Sequence, residues 1–157
     1  MIVIIIAAGK GTRMRPLTET RLKGSLPIQN RSILLRLADM TEKTGLMGKL
    51  VLVISPGQED EIREMFANES YYDKISIAIQ DPAQGTGDAV AQAEQFVTDE
   101  KECLIMNGDI FANLDIDLPN QLMHHRKMNA VCTYLVYPGK NERYGLISVS
   151  DEGLVLD

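Results

Sequence analysis

Gly9-Lys10-Gly11-Thr12-Arg13 follows directly on an apolar run, and this pairing of glycines with cations is the strongest chemical signal in the chain. Glycines at the end of a strand let the backbone turn tightly and bring its N–H groups close to a ligand, while Lys10 and Arg13 add positive charge. The ligand expected there is an anion, phosphate above all. Arg15, Arg21 and Lys23 lie nearby in a protein of formal net charge −6. The cations therefore act locally rather than making the whole surface attractive to nucleic acid or an acidic membrane. A second candidate is Asp109, which comes after the apolar run Cys103-Leu104-Ile105-Met106 and the pair Asn107-Gly108. A carboxylate presented at a sheet edge suits a hard cation such as Mg²⁺, although an aspartate that merely caps a turn looks the same in sequence.

These residues need elements to hold them. Met1-Ile2-Val3-Ile4-Ile5-Ile6-Ala7-Ala8 reads as a strand buried on both faces, the pattern of a central strand in a parallel sheet covered by helices. Ile33, Leu34, Leu37, Ala38 and Met40 recur at helical spacing, which predicts an amphipathic helix over residues 32–43. A second doubly buried strand is predicted over 50–54. Ser55-Pro56 then reads as an N-cap with proline at the first position of a helix burying Ile62, Met65 and Phe66. Residues 75–79 alternate as a strand, and Ala89, Val90, Ala93, Phe96 and Val97 mark another helix face. Strands over 103–106, 130–136 and 144–149, with a helix within 117–127, complete the pattern. Such alternation predicts one α/β domain of 157 residues, a Rossmann-like open, mostly parallel sheet with helices on both faces. Ligands gather at the carboxyl ends of strands in such sheets. Gly9, Gln80 and Gly108-Asp109 each follow a predicted strand, so the three regions should converge.

The stretch Ala7-Ala8-Gly9-Lys10-Gly11-Thr12-Arg13-Met14-Arg15-Pro16-Leu17-Thr18 resembles the signature loop of the sugar-phosphate nucleotidyltransferases, the enzymes that make nucleoside-diphosphate sugars. Three later segments fit in order: the nucleobase segment beginning at Gln80-Asp81-Pro82, the metal-carboxylate turn Asn107-Gly108-Asp109, and the sugar-binding strand Arg143-Tyr144-Gly145-Leu146-Ile147. The resemblance implies a fold of the nucleotidyltransferase and GT-A type. It also implies attack of a sugar-1-phosphate on the α-phosphorus of a nucleoside triphosphate, with Mg²⁺ as cofactor. Ala8, Gly9, Gly11 and Thr12 would wrap the triphosphate, and Arg13 would hold its β- and γ-phosphates. Lys23 occupies the place of a phosphate-binding lysine. The family usually has proline on both sides of that lysine; Leu22 and Gly24 stand here instead, which is expected to leave the loop looser. Gln80, Gly85 and Thr86 would meet the base, and the amide of Gln80 favours UTP or dTTP. Asp109 would hold the metal, and Tyr144 and Gly145 would line the sugar side. In the family, a Glu-Lys segment and a second metal carboxylate follow beyond the position of Asp157, so the domain is expected to be truncated on its C-terminal side.

Other assignments compete. A P-loop needs glycine at position 4 and Ser or Thr after the lysine, where Ile4 and Gly11 stand, and a dinucleotide fingerprint needs glycine where Met14 stands. Asp115-Ile116-Asp117 imitates the Asp-x-Asp metal motif of glycosyltransferases of related fold, yet it directly precedes a predicted helix, where either aspartate makes an ordinary N-cap. A glycosyltransferase, or a nucleotide-binding or regulatory module without turnover, therefore stays open beside the transferase. His124-His125 reads as a polar helix end, because adjacent helical residues point in different directions. Cys103 and Cys132 sit in apolar runs and are expected as buried thiols in a reducing, cytoplasmic setting. Nucleic acid and membrane are not expected partners, and an oligomer is left open.

Overall fold

The computed structural model describes residues 1–97, 102–110, 116–136 and 147–156. By internal contacts the chain forms two compact units, Met1–Gln121 and Leu122–Asp157.

The first unit is built on a parallel sheet of four strands. β1 (Ile2–Ile6), β4 (Lys49–Ile54), β5 (Ile75–Ile79) and β6 (Cys103–Asn107) lie in the order β5-β4-β1-β6. β1 is central, with Ile4 between Val51 on one side and Ile105 on the other. Branched residues dominate β1 and β4 because both sheet faces are covered there, so successive side chains meet apolar partners, whereas in β6, the edge strand among the described residues, Cys103, Ile105 and Asn107 are exposed. Val3, Ile5, Leu50, Leu52 and Ile54 face a core closed by Leu34, Leu37 and Ala38 of α1 (Ile33–Lys43) and by Ile62 and Phe66 of α2 (Glu59–Phe66). Ile2, Ile4, Val51 and Val53 point the other way, onto Ala89 of α3 (Thr86–Gln92) and the following Ala93. Helices therefore cover both faces, as the alternation predicts. A short antiparallel hairpin, β2 (Pro27–Ile28) with β3 (Arg31–Ser32), leads into α1, where the hydroxyl of Ser32 accepts the Leu35 N–H at 3.2 Å as an N-cap.

Three expectations need correction. α2 begins at Glu59 rather than at Pro56, because Gly57 adopts φ +81° and breaks the would-be first turn. Residues 130–136 form no strand and lie almost wholly exposed, and of 144–149 the described part, 147–149, makes a single antiparallel bridge, Val149 with Val155. An apolar alternating run becomes a strand only where a neighbour supplies its ladder of hydrogen bonds. Among the described residues 130–136 has no strand neighbour, and 147–149 has only the bridge, where the Ser148 carbonyl accepts the Leu156 N–H at 2.8 Å. For the same reason the cysteines are exposed thiols rather than buried ones: Cys103 begins β6, which pairs on one side only among the described residues, and Cys132 lies in 130–136. The helix predicted within 117–127 is α4 (Leu118–Lys127).

Candidate active site

Strand order fixes where the site is. Moving from β1, the chain passes to β4 and β5 on one side and only then to β6 on the other, so the crevice between β1 and β6 is a topological switch point. There the loops leaving the two strands are drawn together, with the Gly108 N–H donating to the Ile6 carbonyl at 2.7 Å. Gly108 is required by that closeness. A Cβ on it would stand 2.9 Å from the Ile6 carbonyl oxygen and 3.0 Å from Leu34. On the opposite flank the hydroxyl of Ser55, just past β4, donates to the Ala8 carbonyl at 2.9 Å.

A cavity of about 240 Å³ opens at this end of the sheet. Ala8 and Gly9 from the β1 loop line it, together with Lys23, Gln80, Gly85, Thr86 and Asp109. Four separate sequence regions thus meet, including the three expected to converge after a strand, at Gly9, Gln80 and Gly108-Asp109.

Lys23 and Asp109, 86 positions apart, are in contact: Nζ donates to Oδ2 at 2.7 Å. The pair sits half-exposed at the cavity, a cation able to meet phosphate beside a carboxylate able to meet a hard metal. Among the described residues no group of three metal-type side chains exists. A divalent cation at Asp109 would therefore draw further oxygens from ligand or water, which suits Mg²⁺.

Gln80 is buried, and its amide is already committed. Nε2 donates to the Gly85 carbonyl at 2.9 Å and to Asp88 Oδ2 at 2.6 Å. Both partners are acceptors, so the amide must turn its N–H groups toward them and keep its oxygen for anything else. Gly85 has φ +105°, open to glycine alone, and its carbonyl begins α3 by accepting the Ala89 N–H.

Part of the signature loop stays off the cavity. Gly11, Thr12 and Arg13 do not line it, and Arg13 is exposed. Residues Thr12–Met14 form a 3₁₀ turn, with Gly11 in the left-handed region at φ 57°. The Thr18 hydroxyl donates to the Gly11 carbonyl at 2.7 Å, and a Cβ on Gly11 would meet Thr18 at 2.9 Å. Thr18 therefore pins the loop, a role that its place at the end of the motif alone does not disclose. Tyr144, Gly145 and Asp115 lie outside the described residues. Asp117 caps α4, accepting the Asn120 N–H at 3.0 Å, which leaves that residue in the N-cap role. In the second unit His125 pairs through Nδ1 with Thr133 Oγ1 at 2.8 Å, and His124 is exposed.

The loop carrying Lys23 is not loose. Leu22 is fully buried, and its backbone N–H donates to both carboxylate oxygens of Glu61 on α2, at 3.2 and 3.0 Å. Gly24 is pressed so close to Leu34 that a Cβ there would stand 2.7 Å from it and 3.0 Å from the Gly108 carbonyl oxygen. Side-chain burial, one carboxylate and close packing do here what flanking prolines would do elsewhere. None of this was readable from the residues around Lys23, because Glu61 lies 39 positions from Leu22.

Fold and site together define an open, doubly wound α/β domain with its ligand crevice where the strand order reverses. A model of the Nucleotidyl transferase family matches residues 2–157, and the chain belongs to that family. It is 33% identical over its whole length to the bifunctional protein GlmU of Methanocaldococcus jannaschii, of which it spans 35%. Over 99% of its length it is 30% identical to the D-glycero-alpha-D-manno-heptose 1-phosphate guanylyltransferase of Campylobacter jejuni, of which it spans 66%. The fold matches a putative glucose-1-phosphate thymidylyltransferase from Bacillus anthracis with TM-score 0.69 and 18% identity, over 80% of this chain and 52% of that one. A UDP-glucose pyrophosphorylase complexed with UDP-glucose matches with TM-score 0.65 and 19% identity, over 82% of this chain and 54% of that one. The chain thus covers from about a third to two thirds of the lengths of these proteins.

Proposed function

We propose that this chain carries the nucleotide-gripping part of a sugar-1-phosphate nucleotidyltransferase, which joins a nucleoside triphosphate to a sugar-1-phosphate and releases pyrophosphate. The observation that carries this reading is the meeting of Ala8, Gly9, Lys23, Gln80, Gly85 and Asp109 around one cavity at the switch point. The attacking phosphate monoester needs no general base, since its second pKa is about 6 and it is already largely dianionic at neutral pH. What the reaction needs is cations and N–H donors that hold two anions together and offset charge on the leaving pyrophosphate.

In this reading the backbone N–H groups of Gly9, Gly11 and Thr12 receive the triphosphate. Arg13, exposed beside the loop, swings onto the β- and γ-phosphates with its planar fork. Lys23 and Asp109 neutralise each other before ligand arrives, and binding separates them: the ammonium takes phosphate oxygens and the carboxylate takes the cation. Mg²⁺, when bound, would supply charge neutralisation along the triphosphate.

The base preference is read from the similar proteins and is compatible with Gln80. With both N–H groups engaged, the amide offers only an acceptor, which the ring N–H of uracil, thymine or guanine can meet, and so can the exocyclic amino group of adenine or cytosine, so Gln80 alone excludes no base. UTP and dTTP remain favoured, and GTP joins them. Names among the similar proteins, thymidylyl, UDP-glucose and guanylyl, fall within that set. Pyrophosphate release measured with five triphosphates, several sugar-1-phosphates and Mg²⁺ tests the reading. Turnover with UTP, dTTP or GTP is expected. Turnover with ATP alone would overturn the base assignment, and triphosphate binding without turnover on any sugar phosphate would favour a binding module.

A further inference from the structure

We infer that Glu61, on the first turn of α2, is a positioning residue for Lys23: it holds the phosphate-binding loop in register from below by capping the Leu22 N–H. The inference rests on the reading of Lys23 as a phosphate ligand. The backbone at Leu22, with φ −61° and ψ 136°, is extended and turns at once into the 3₁₀ segment Lys23–Ser25. Its N–H donates to Glu61 and is the last backbone donor before Lys23. From Leu22 onward the loop is fixed on three sides. The Leu22 side chain is buried in the core, the Glu61 carboxylate holds its N–H, and Gly24 is wedged against Leu34 and the Gly108 carbonyl. Leu34 also lies under Gly108, the residue next to Asp109, so the lysine and its carboxylate rest on one support. A proline at 22 would have needed no acceptor, having no N–H. Because this chain has leucine there, a buried-side donor exists, and Glu61 answers it.

A glutamate in the first turn of a helix also favours that helix by its charge alone. Substitution by aspartate separates the two roles. Glu61→Asp keeps the charge on α2 but withdraws the carboxylate by one methylene, about 1.5 Å, which takes it out of reach of Leu22. Glu61→Gln keeps an acceptor oxygen in place and drops the charge. The readout is titration of the whole chain with inorganic tripolyphosphate and Mg²⁺, which reports on phosphate contacts without base or sugar. Glu61→Ala and Glu61→Asp should each weaken binding about tenfold, while Glu61→Gln should stay within about threefold of wild type. Added to Lys23→Met, the Glu61→Ala change should cost nothing further, since the loop then has no ammonium to place. An equal loss with and without Lys23 would overturn the inference, and so would wild-type affinity in Glu61→Asp. Should Glu61→Ala fail to fold, Glu61→Asp carries the same comparison.

Two failures stay distinguishable. Unchanged tripolyphosphate binding in Lys23→Met would remove Lys23 from the phosphate site whatever Glu61 does. Hydrogen exchange of the Leu22 amide then decides on the brace alone. Faster exchange in Glu61→Asp than in wild type supports it, and equal exchange overturns it.

Discussion

Arg13 and Lys23 differ in what they need from their surroundings, and their substitutions should differ accordingly. Lys23 is already held against Asp109 at 2.7 Å, whereas Arg13 is exposed and, in the proposed role, contributes only when phosphate is present. Arg13→Ala should therefore leave the unfolding midpoint unchanged and lower kcat/KM by about a hundredfold or more, the usual consequence of losing one charge-assisted contact to a leaving group. Wild-type turnover in that variant would remove Arg13 from the mechanism. Gly24 behaves oppositely. Its replacement by alanine places a Cβ 2.7 Å from Leu34 Cγ, so unfolding by urea should show a loss of about 1–3 kcal/mol. Leu34→Val in the same chain should recover part of it by vacating that space. At this scale Gly9, Lys23, Gln80, Gly85 and Asp109 stand out in the sequence by residue type and motif, and all line the cavity. Their partners do not. The Lys23–Asp109 ion pair spans 86 positions and the Leu22–Glu61 bond 39, separations that no local pattern encodes.

Elements were legible where periodicity was strong and illegible where a partner decides. β1 and β4 declare themselves as unbroken branched runs, and α1 by its apolar stripe, because each buries its pattern within its own unit. Residues 130–136 carry a similar run and form no strand, since a strand is a relation between two segments. The β2–β3 hairpin has only two residues per strand, too few to hold itself. Arg31 holds it instead. Its guanidinium bridges Asp39 on α1 at 2.5 and 2.6 Å and Glu69 beyond α2 at 3.1 and 3.0 Å, and the Tyr71 hydroxyl donates to Asp39 at 2.7 Å. Arg31→Met would leave two carboxylates facing each other across a half-buried gap. Solvent reaches the guanidinium, so the cost expected in denaturant unfolding is moderate, about 1–3 kcal/mol. Burial raises the pKa of Asp39, yet the hydrogen bonds from Arg31 and Tyr71 and the charge of Arg31 outweigh it and hold the carboxyl below its ordinary value. A lowered folded pKa means stability that is present in full above the ordinary carboxylate range near 4 and lost as pH falls through and below it. Tyr71 is shifted upward, first by burial and then by its bond to Asp39, so stability should also fall as pH rises past about 10. Melting temperatures across the pH range should show both shoulders, and Asp39→Asn should flatten the acid one. An unaltered acid shoulder in Asp39→Asn would assign it to other carboxylates.

For the whole molecule, what matters is that one compact unit supplies the cavity as described. Every described residue lining it lies within Met1–Gln121, and so do both apolar clusters that cover the sheet. The rule that ligands collect where strands end made this arrangement foreseeable, because Gly9, Gln80 and Asp109 each follow a strand of the same sheet. The position of β6 on the far side of β1 was not foreseeable, since strand order is set by how crossovers pack rather than by any one segment. The described residues of the second unit carry mostly exposed side chains, among them Val131, Tyr134, Leu135 and Leu156. Triphosphate binding should thus belong to the first unit alone. A chain ending at Lys127, which keeps α4 whole, should fold with the same cooperative transition and bind UTP with Mg²⁺ within about threefold of the full chain, a difference below 1 kcal/mol. Turnover with a sugar-1-phosphate should fall in that shortened chain if the segment containing Tyr144 and Gly145 serves the sugar side. Loss of UTP binding together with turnover, in a chain whose unfolding transition is unchanged, would show that residues beyond 127 complete the nucleotide site itself.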